Sequence, residues 1–337
     1  MKKHIGHILF VLTVLMSQQS FSQSLTGTAF ELYKAKDYRN AMVWIDSAVQ
    51  TNERYDSQTW QLRGIIYRKT VGGDDELYFR EIALESFIRA QTADSTGVYK
   101  TKIEDYLKNT VILYYNDAVT LMKTDKNFES SQESYLTYKD QYHKLIDPTF
   151  DFSSSDITYY NALGADYLSL VTAVNDDQKE KIRIKSMESC EMVIQIDSMN
   201  FQANLNIGLL NYNQGADYVT KADPFMTIED IMYNQEKSKV SFLKAIPYLK
   251  RAERINPTDK KVLIALMSCY YGLHKNDLYI KYQTMVDKMD IDGLEQKHRT
   301  NNKDVEVIKE LIRIYTNTLV DEKKSKYYKK LLNDLNP

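Results

Sequence analysis

The sequence predicts an all-α protein, an α-α superhelix of stacked antiparallel helix pairs, and three observations lead to that expectation. Amphipathic stretches recur two by two from Leu25 to Leu335, with apolar residues at three- and four-residue spacing. Small residues at fixed positions in these stretches (Gly64, Gly164, Ala245, Ala252) are accompanied by large ones (Trp60, Tyr67, Tyr160, Tyr167, Leu249), as close helix crossings require. Glycine and proline number only 11 and 5 in 337 residues, well under the usual shares of about 7% and 5%. That scarcity excludes collagen-like and linker-rich chains and disfavours turn-rich β folds. The 26 tyrosines suit thin helical layers, where a ring is buried while its hydroxyl stays wet.

The first 22 residues are expected to be a cleaved secretory signal. Lys2 and Lys3 supply a positive start, Ile8 to Met16 is nearly unbroken apolar sequence, and Ser20-Phe21-Ser22 offers small residues at the cleavage positions. The apolar run is shorter than the roughly 20 residues of a membrane span, so no integral span is expected after cleavage. No cysteine follows the cut, which excludes a bacterial lipoprotein signal, and a periplasmic or secreted protein is expected. Cleavage moves the formal charge from −2 to −4, because only Lys2 and Lys3 are lost. A mildly acidic chain without basic blocks does not suit nucleic acid.

Residues 23–289 divide into about six helix pairs with insertions. The first runs from Leu25 to Asn52, with Lys36-Asp37-Tyr38 as its turn. The second opens at Asp56 and closes with Ala83-x3-Phe87-x2-Ala90, with extra residues around Val71–Asp75 between its helices. The third, Ile103 to Leu145, keeps the spacing through Ala118, Met122, Phe128, Ser131, Tyr135 and Tyr138 but has longer helices. Asp147-Pro148 ends it. The fourth begins at Phe152-Ser153-x-x-Asp156-Ile157, which has the form of a capping box with a hydrophobic staple. Its second helix holds Ser186, Cys190 and Val193. The fifth starts near Phe201 and resumes at Ala245, with a long insertion from Gln214 to Val240. The sixth follows Pro257 and ends near Met289. Residues 290–337 are expected to be a charged linker, Asp290 to Asp304, and a capping helix pair over Val305–Leu319 and Asp321–Leu335.

Two runs, Trp60-x2-Arg63-Gly64-x2-Tyr67 and Tyr160-x2-Leu163-Gly164-x2-Tyr167, fit the pattern W-x2-L-G-x2-Y with one substitution each. Ala245-x3-Leu249-x2-Ala252-x4-Pro257 fits A-x3-F-x2-A-x4-P. On these residues the chain resembles tetratricopeptide-repeat proteins, and in style those exported by Bacteroidota. The steps between Ala41, Ala83, Ser131, Ser186 and Ala245 exceed the strict period of about 34 residues, so the pairs are elaborated by insertions or longer helices.

The resemblance implies a non-enzymatic scaffold that binds a protein or peptide in a concave groove lined by the first helix of each pair. Transferred position by position, the groove residues are Phe30, Tyr33 and Lys34; Gln61, Ile65, Arg68 and Lys69; Asn116, Lys123 and Thr124; Asn161 and Leu168; Leu205, Tyr212 and Asn213; and Ile264 and Tyr271. Basic and amide residues fall towards the N-terminal pairs, which suits an acidic segment or a free carboxylate. The same positions are also compatible with solvated helix faces. The insertion adds a second candidate surface at Phe225, Met226, Ile228, Ile231 and Met232, either partner-contacting or folded back on its own core.

No chemistry-bearing motif stands beside these surfaces. His143, His274 and His298 have no partner at zinc-site spacing, and no phosphate-binding glycine loop or nucleophile elbow occurs. No cofactor or metal is expected. Gly72–Glu76 lacks the alternating oxygen ligands of a calcium loop. Cys190 and Cys269 fall at apolar helical positions and are expected to be buried, free thiols. The alternatives are a cell-wall glycan-acting enzyme with two carboxylates facing across a cleft, or a soluble-ligand binder.

Overall fold

The structure is a computed structural model that describes residues 24–70, 76–171, 173–220 and 226–335. The expected signal, the loop at 71–75 and Phe225 lie outside the described residues. The chain divides into two compact units, one ending at Asp151 and the other beginning at Phe152. The first holds helices α1 (Leu25–Lys34), α2 (Tyr38–Ala48), α3 (Ser57–Lys69), α4 (Glu76–Ala93), α5 (Lys100–Lys123) and α6 (Phe128–Leu145). The second holds α7 (Ser153–Val171), α8 (Asp176–Ile196), α9 (Phe201–Thr220), α10 (Ile228–Ile255), α11 (Lys260–Gly272), α12 (Asn276–Thr300), α13 (Val305–Asn317) and α14 (Glu322–Leu335). Each odd helix packs chiefly on the even helix that follows it, so the described residues form all-α antiparallel pairs, as the sequence predicts.

Local chemistry sets where the helices start. Side chains of Ser24, Asp37, Asp56, Asn127 and Asp259 each accept a hydrogen bond from a backbone N–H in the first turn. Each satisfies a donor that the helix itself leaves open. At α10 the reciprocal box is complete: Asp230 N–H donates to Thr227 Oγ1 at 3.1 Å, and Thr227 N–H donates to Asp230 Oδ2 at 3.3 Å. Helix α7 starts one residue earlier than the capping box at Ser153 requires, because the Phe152 carbonyl already accepts from Asp156 N–H at 2.7 Å. Four pairs turn tightly between their helices, and each of these turns holds one residue with positive φ: Lys36, Lys126, His274 and Val320.

The pairs interlock through small residues set against large ones. A Cβ placed on Gly164 would lie 2.6 Å from Cys190 Sγ, and one on Gly208 would lie 2.6 Å from Leu249 Cδ2. Gly64 meets the Phe87 ring in the same way. The large partner is each time the fourth residue after a small one (Ala83, Ser186 or Ala245), so the two halves of the repeat pattern meet face to face.

Two expectations are corrected. Residues 290–300 are not linker but the last turns of α12. Ile291 and Leu294 pack there against the cluster of Ile308, Leu311, Tyr315 and Tyr328, and that stripe carries the helix through otherwise charged sequence. The Gln214–Val240 insertion is not a separate element. It is mostly the extension of α9 to Thr220 and of α10 back to Ile228. The crossing continues along that extension: Gly215 faces the Phe242 ring, and Ser238 and Ser241 are buried.

Candidate functional site

In the first unit, the first helices of successive pairs wall a cleft of about 540 Å³. Phe30 comes from α1, Gln61 and Ile65 from α3, and Tyr99 and Lys102 from the start of α5. Its wall is tied together by polar contacts. Thr26 and Thr59 hydroxyls meet at 2.9 Å, Gln61 Nε2 donates to Ser57 Oγ at 3.2 Å, and Gln58 Nε2 donates to the Tyr99 hydroxyl. Glu53 and Asp56 also line it, but both are committed to helix starts. Glu53 accepts from the backbone N–H of Leu25 at 3.0 Å and of Thr26 at 2.8 Å, and Asp56 accepts from Gln58 N–H at 2.8 Å. Burial alone would raise the Glu53 carboxyl, yet the hydrogen bonds from Thr26 and Leu25 bring it below its ordinary range.

Other residues expected in the groove are distributed as follows. Tyr33 packs into the core of the first pair and against Tyr38. Lys34 pairs with Glu31 at 2.9 Å and lies over the Phe30 ring at 5.1 Å. Arg68 is half-buried, and its Nη1 is buried without a hydrogen-bond partner. Lys69, Asn116 and Lys123 are exposed. In the second unit Asn161 donates to Asn200 Oδ1 at 3.1 Å. Tyr212 stacks on Phe242 at 6.1 Å, within the core cluster rather than free. Asn213 lines a small cleft with Asp217 and Tyr218, and Tyr271 is exposed beside Tyr279. Of the insertion residues, Ile228 is 73% exposed, Met232 64% and Ile231 41%, all on the first turns of α10.

No protein-family model matches the chain, and no curated protein matches it. Solved structures do. A TPR repeats protein from Bacteroides fragilis is 19% identical, with 73% of this chain and 96% of that one covered at a TM-score of 0.42. An IFIT1 monomeric mutant solved with Gppp-AAAA is 14% identical, with 92% and 71% covered at a TM-score of 0.31. Neither overlap carries an argument beyond the helix pairs already described. Among the described residues the fold is an all-α array of antiparallel helix pairs.

Within this frame of helix pairs, three of the residues expected in the groove line the first-unit cleft, Phe30, Gln61 and Ile65. Sequence transfer missed Lys102 and Tyr99, because the third pair departs from the pattern and its start could not be aligned. It also missed a second cleft of about 530 Å³ in the second unit, walled by α8, α9 and α10. The signal for that one was a run of i, i+3, i+4, i+7 positions on α10, namely Lys244, Pro247, Tyr248 and Arg251. Among the described residues no group of three or more His, Cys, Asp or Glu could hold a metal ion. No described helix is long and apolar enough to cross a membrane. Cys190 and Cys269 are free, and burial pushes each thiol up to about 12.

Proposed function

We propose that this protein is an exported, non-enzymatic scaffold that holds an extended segment of a protein partner in the first-unit cleft. The observation that supports this reading is the convergence of Phe30, Gln61, Ile65 and Lys102 from three successive pairs on one open surface. Residues of different repeats on one face offer an extended chain several contacts in register, the use to which stacked repeats are suited. Lys102, the cation of the cleft wall, favours a segment carrying carboxylates. The two carboxylates of the cleft, Glu53 and Asp56, hold backbone N–H groups, so neither is free to serve as a general acid or base. Export rests on Lys2, Lys3 and the apolar run that follows. The exposed Ile228, Ile231 and Met232 at the start of α10 supply a second, apolar contact for the same partner.

The test is affinity capture from the native cell envelope with the tagged full chain, wild type beside Phe30→Ser/Lys102→Glu and Ile228→Ser/Met232→Ser. The expected result is a defined set of partners lost with the first variant and weakened with the second, with helical content and thermal midpoint unchanged in both. Equal capture by all three proteins would reject the assignment of both surfaces. Location of the mature chain in the cytoplasmic fraction would reject export.

A further inference from the structure

The second cleft has a different chemistry. On α9 its wall is Ile207, Asn211 and Gln214, spaced by four and three residues and therefore on one face. At about 100° per residue that face lies roughly opposite Leu205 and Tyr212, which pack in the core. Arg183 of α8 borders one flank, and Lys244 and Arg251 of α10 the other. None of the lining residues is acidic. Arg183 is held by Glu180, with Nε to Oε2 at 2.9 Å, whereas neither Lys244 nor Arg251 has an ion pair among the described residues. Arg251 instead lies over the Tyr248 ring at 5.1 Å, which holds the guanidinium in place. Asn211 is 96% buried; its Nδ2 donates to the Ile207 carbonyl at 2.9 Å, which fixes the amide in the cleft wall.

We infer that this second-unit cleft is a binding site for an acidic peptide segment, separate from the proposed groove. Lys244 and Arg251 are seven residues apart on one helix face, which is about 10 Å along the axis. In a polyproline-II segment, with three residues per turn and a rise of about 3.1 Å, side chains three residues apart share a face and are separated by about 9 Å. Carboxylates at i and i+3 of a peptide in that conformation would therefore meet both cations. Pro247 and Tyr248 lie between them as an apolar platform, and Gln214 supplies an amide donor and acceptor for the peptide backbone. A tetrahedral oxyanion could engage one cation, but it would leave the second unmatched.

The experiment uses the full mature chain and a fluorescein-labelled octapeptide with glutamates at its third and sixth positions in a Gly/Ser/Ala background, followed by fluorescence anisotropy at low ionic strength. Controls are the matching glutamine peptide, a peptide with adjacent glutamates, and inorganic phosphate as competitor. The expected result is preference for the spaced acidic peptide, with affinity falling about tenfold in Lys244→Gln and in Arg251→Gln. The losses should persist when Lys244→Gln and Arg251→Gln are measured in the Phe30→Ser/Lys102→Glu background, which separates this site from the groove. Both cleft positions are solvent-facing, and unaltered circular dichroism would show that the variants fold. Equal binding of the glutamine peptide, or wild-type affinity in both cleft variants, would overturn the assignment. Full displacement by millimolar phosphate, with no preference for glutamate spacing, would reduce the site to a simple anion site and likewise overturn it.

Discussion

The middle and the end of the second unit are built on opposite principles. In the middle, the Phe242 ring of α10 is gripped between Gly215 of α9 and Gly272 of α11. Cβ atoms there would lie 2.6 Å from ring Cε1 and 2.8 Å from ring Cδ2 respectively. Tyr212 stacks on the same ring. At the end, a buried charge network links α12 to α13 beside the apolar stripe of Ile291 and Leu294. Asp287, 2% exposed, takes Arg313 in a fork at 3.0 and 2.5 Å and also accepts from Thr318 at 2.5 Å and Gln283 at 2.6 Å. Glu295, Tyr315 and Lys324 form a second polar cluster beside it. An apolar clamp depends on shape and does not respond to acid. A buried carboxylate depends on its partners and does.

The largest effect is expected from emptying the clamp. Phe242→Ala should cost about 3–5 kcal/mol, since two glycines leave nothing that can close the cavity. Urea unfolding measures this, and a loss below about 1 kcal/mol would mean that the ring does not organise α9, α10 and α11. Arg313→Ala strands the buried Asp287 carboxylate and should cost about 3 kcal/mol. The decisive comparison is Arg313→Ala/Asp287→Leu, which should recover part of that loss. Failure of the double variant to recover would place the effect in packing of the arginine stem instead.

Gly164→Leu is expected to cost about 1–3 kcal/mol by overpacking against Cys190. Cys190 labelling by a thiol reagent in the native state, negligible in the wild type, should become measurable in that variant, while Cys269 stays protected. The acid response separates the two regions most sharply. Burial alone would raise the Asp287 carboxyl, but Arg313, Thr318 and Gln283 together hold it below its ordinary value. A folded value under the unfolded one of about 4 means the stabilisation is present above that pH and lost as pH falls through the folded value. Stability of the wild type should therefore fall, as pH drops below about 4, more than that of Asp287→Asn. Parallel curves would mean that other carboxylates govern acid unfolding.

The smallest expected effect is a gain. Val320 has φ of 51°, a left-handed conformation that is strained for a β-branched residue. Val320→Gly should raise stability by about 1 kcal/mol; a destabilised variant would show that the side chain contributes more through contact than it costs in strain.

Much of this fold was legible because its signals are local. Asp37, Asp56 and Asp259 cap helices whose apolar periods begin just after them, and the small-then-large spacing of Ala83–Phe87 and Ala245–Leu249 marks the second helix of a pair. The groove was legible only in part. Phe30 and Gln61 lie where the pattern puts them, whereas Tyr212 was drawn into the core by Phe242. That ring lies 30 residues away in sequence, and nothing in the neighbourhood of Tyr212 announces it.

By itself, then, the sequence determined the all-α class, the pairing of helices and most helix starts, because caps and periodicity act over one or two turns. The tertiary structure alone decided which large side chain meets which glycine, that residues 290–300 continue α12, and that Lys244 and Arg251 face Arg183 across a cleft. Those outcomes depend on helix length and crossing, and these are fixed by contacts between residues far apart in the chain.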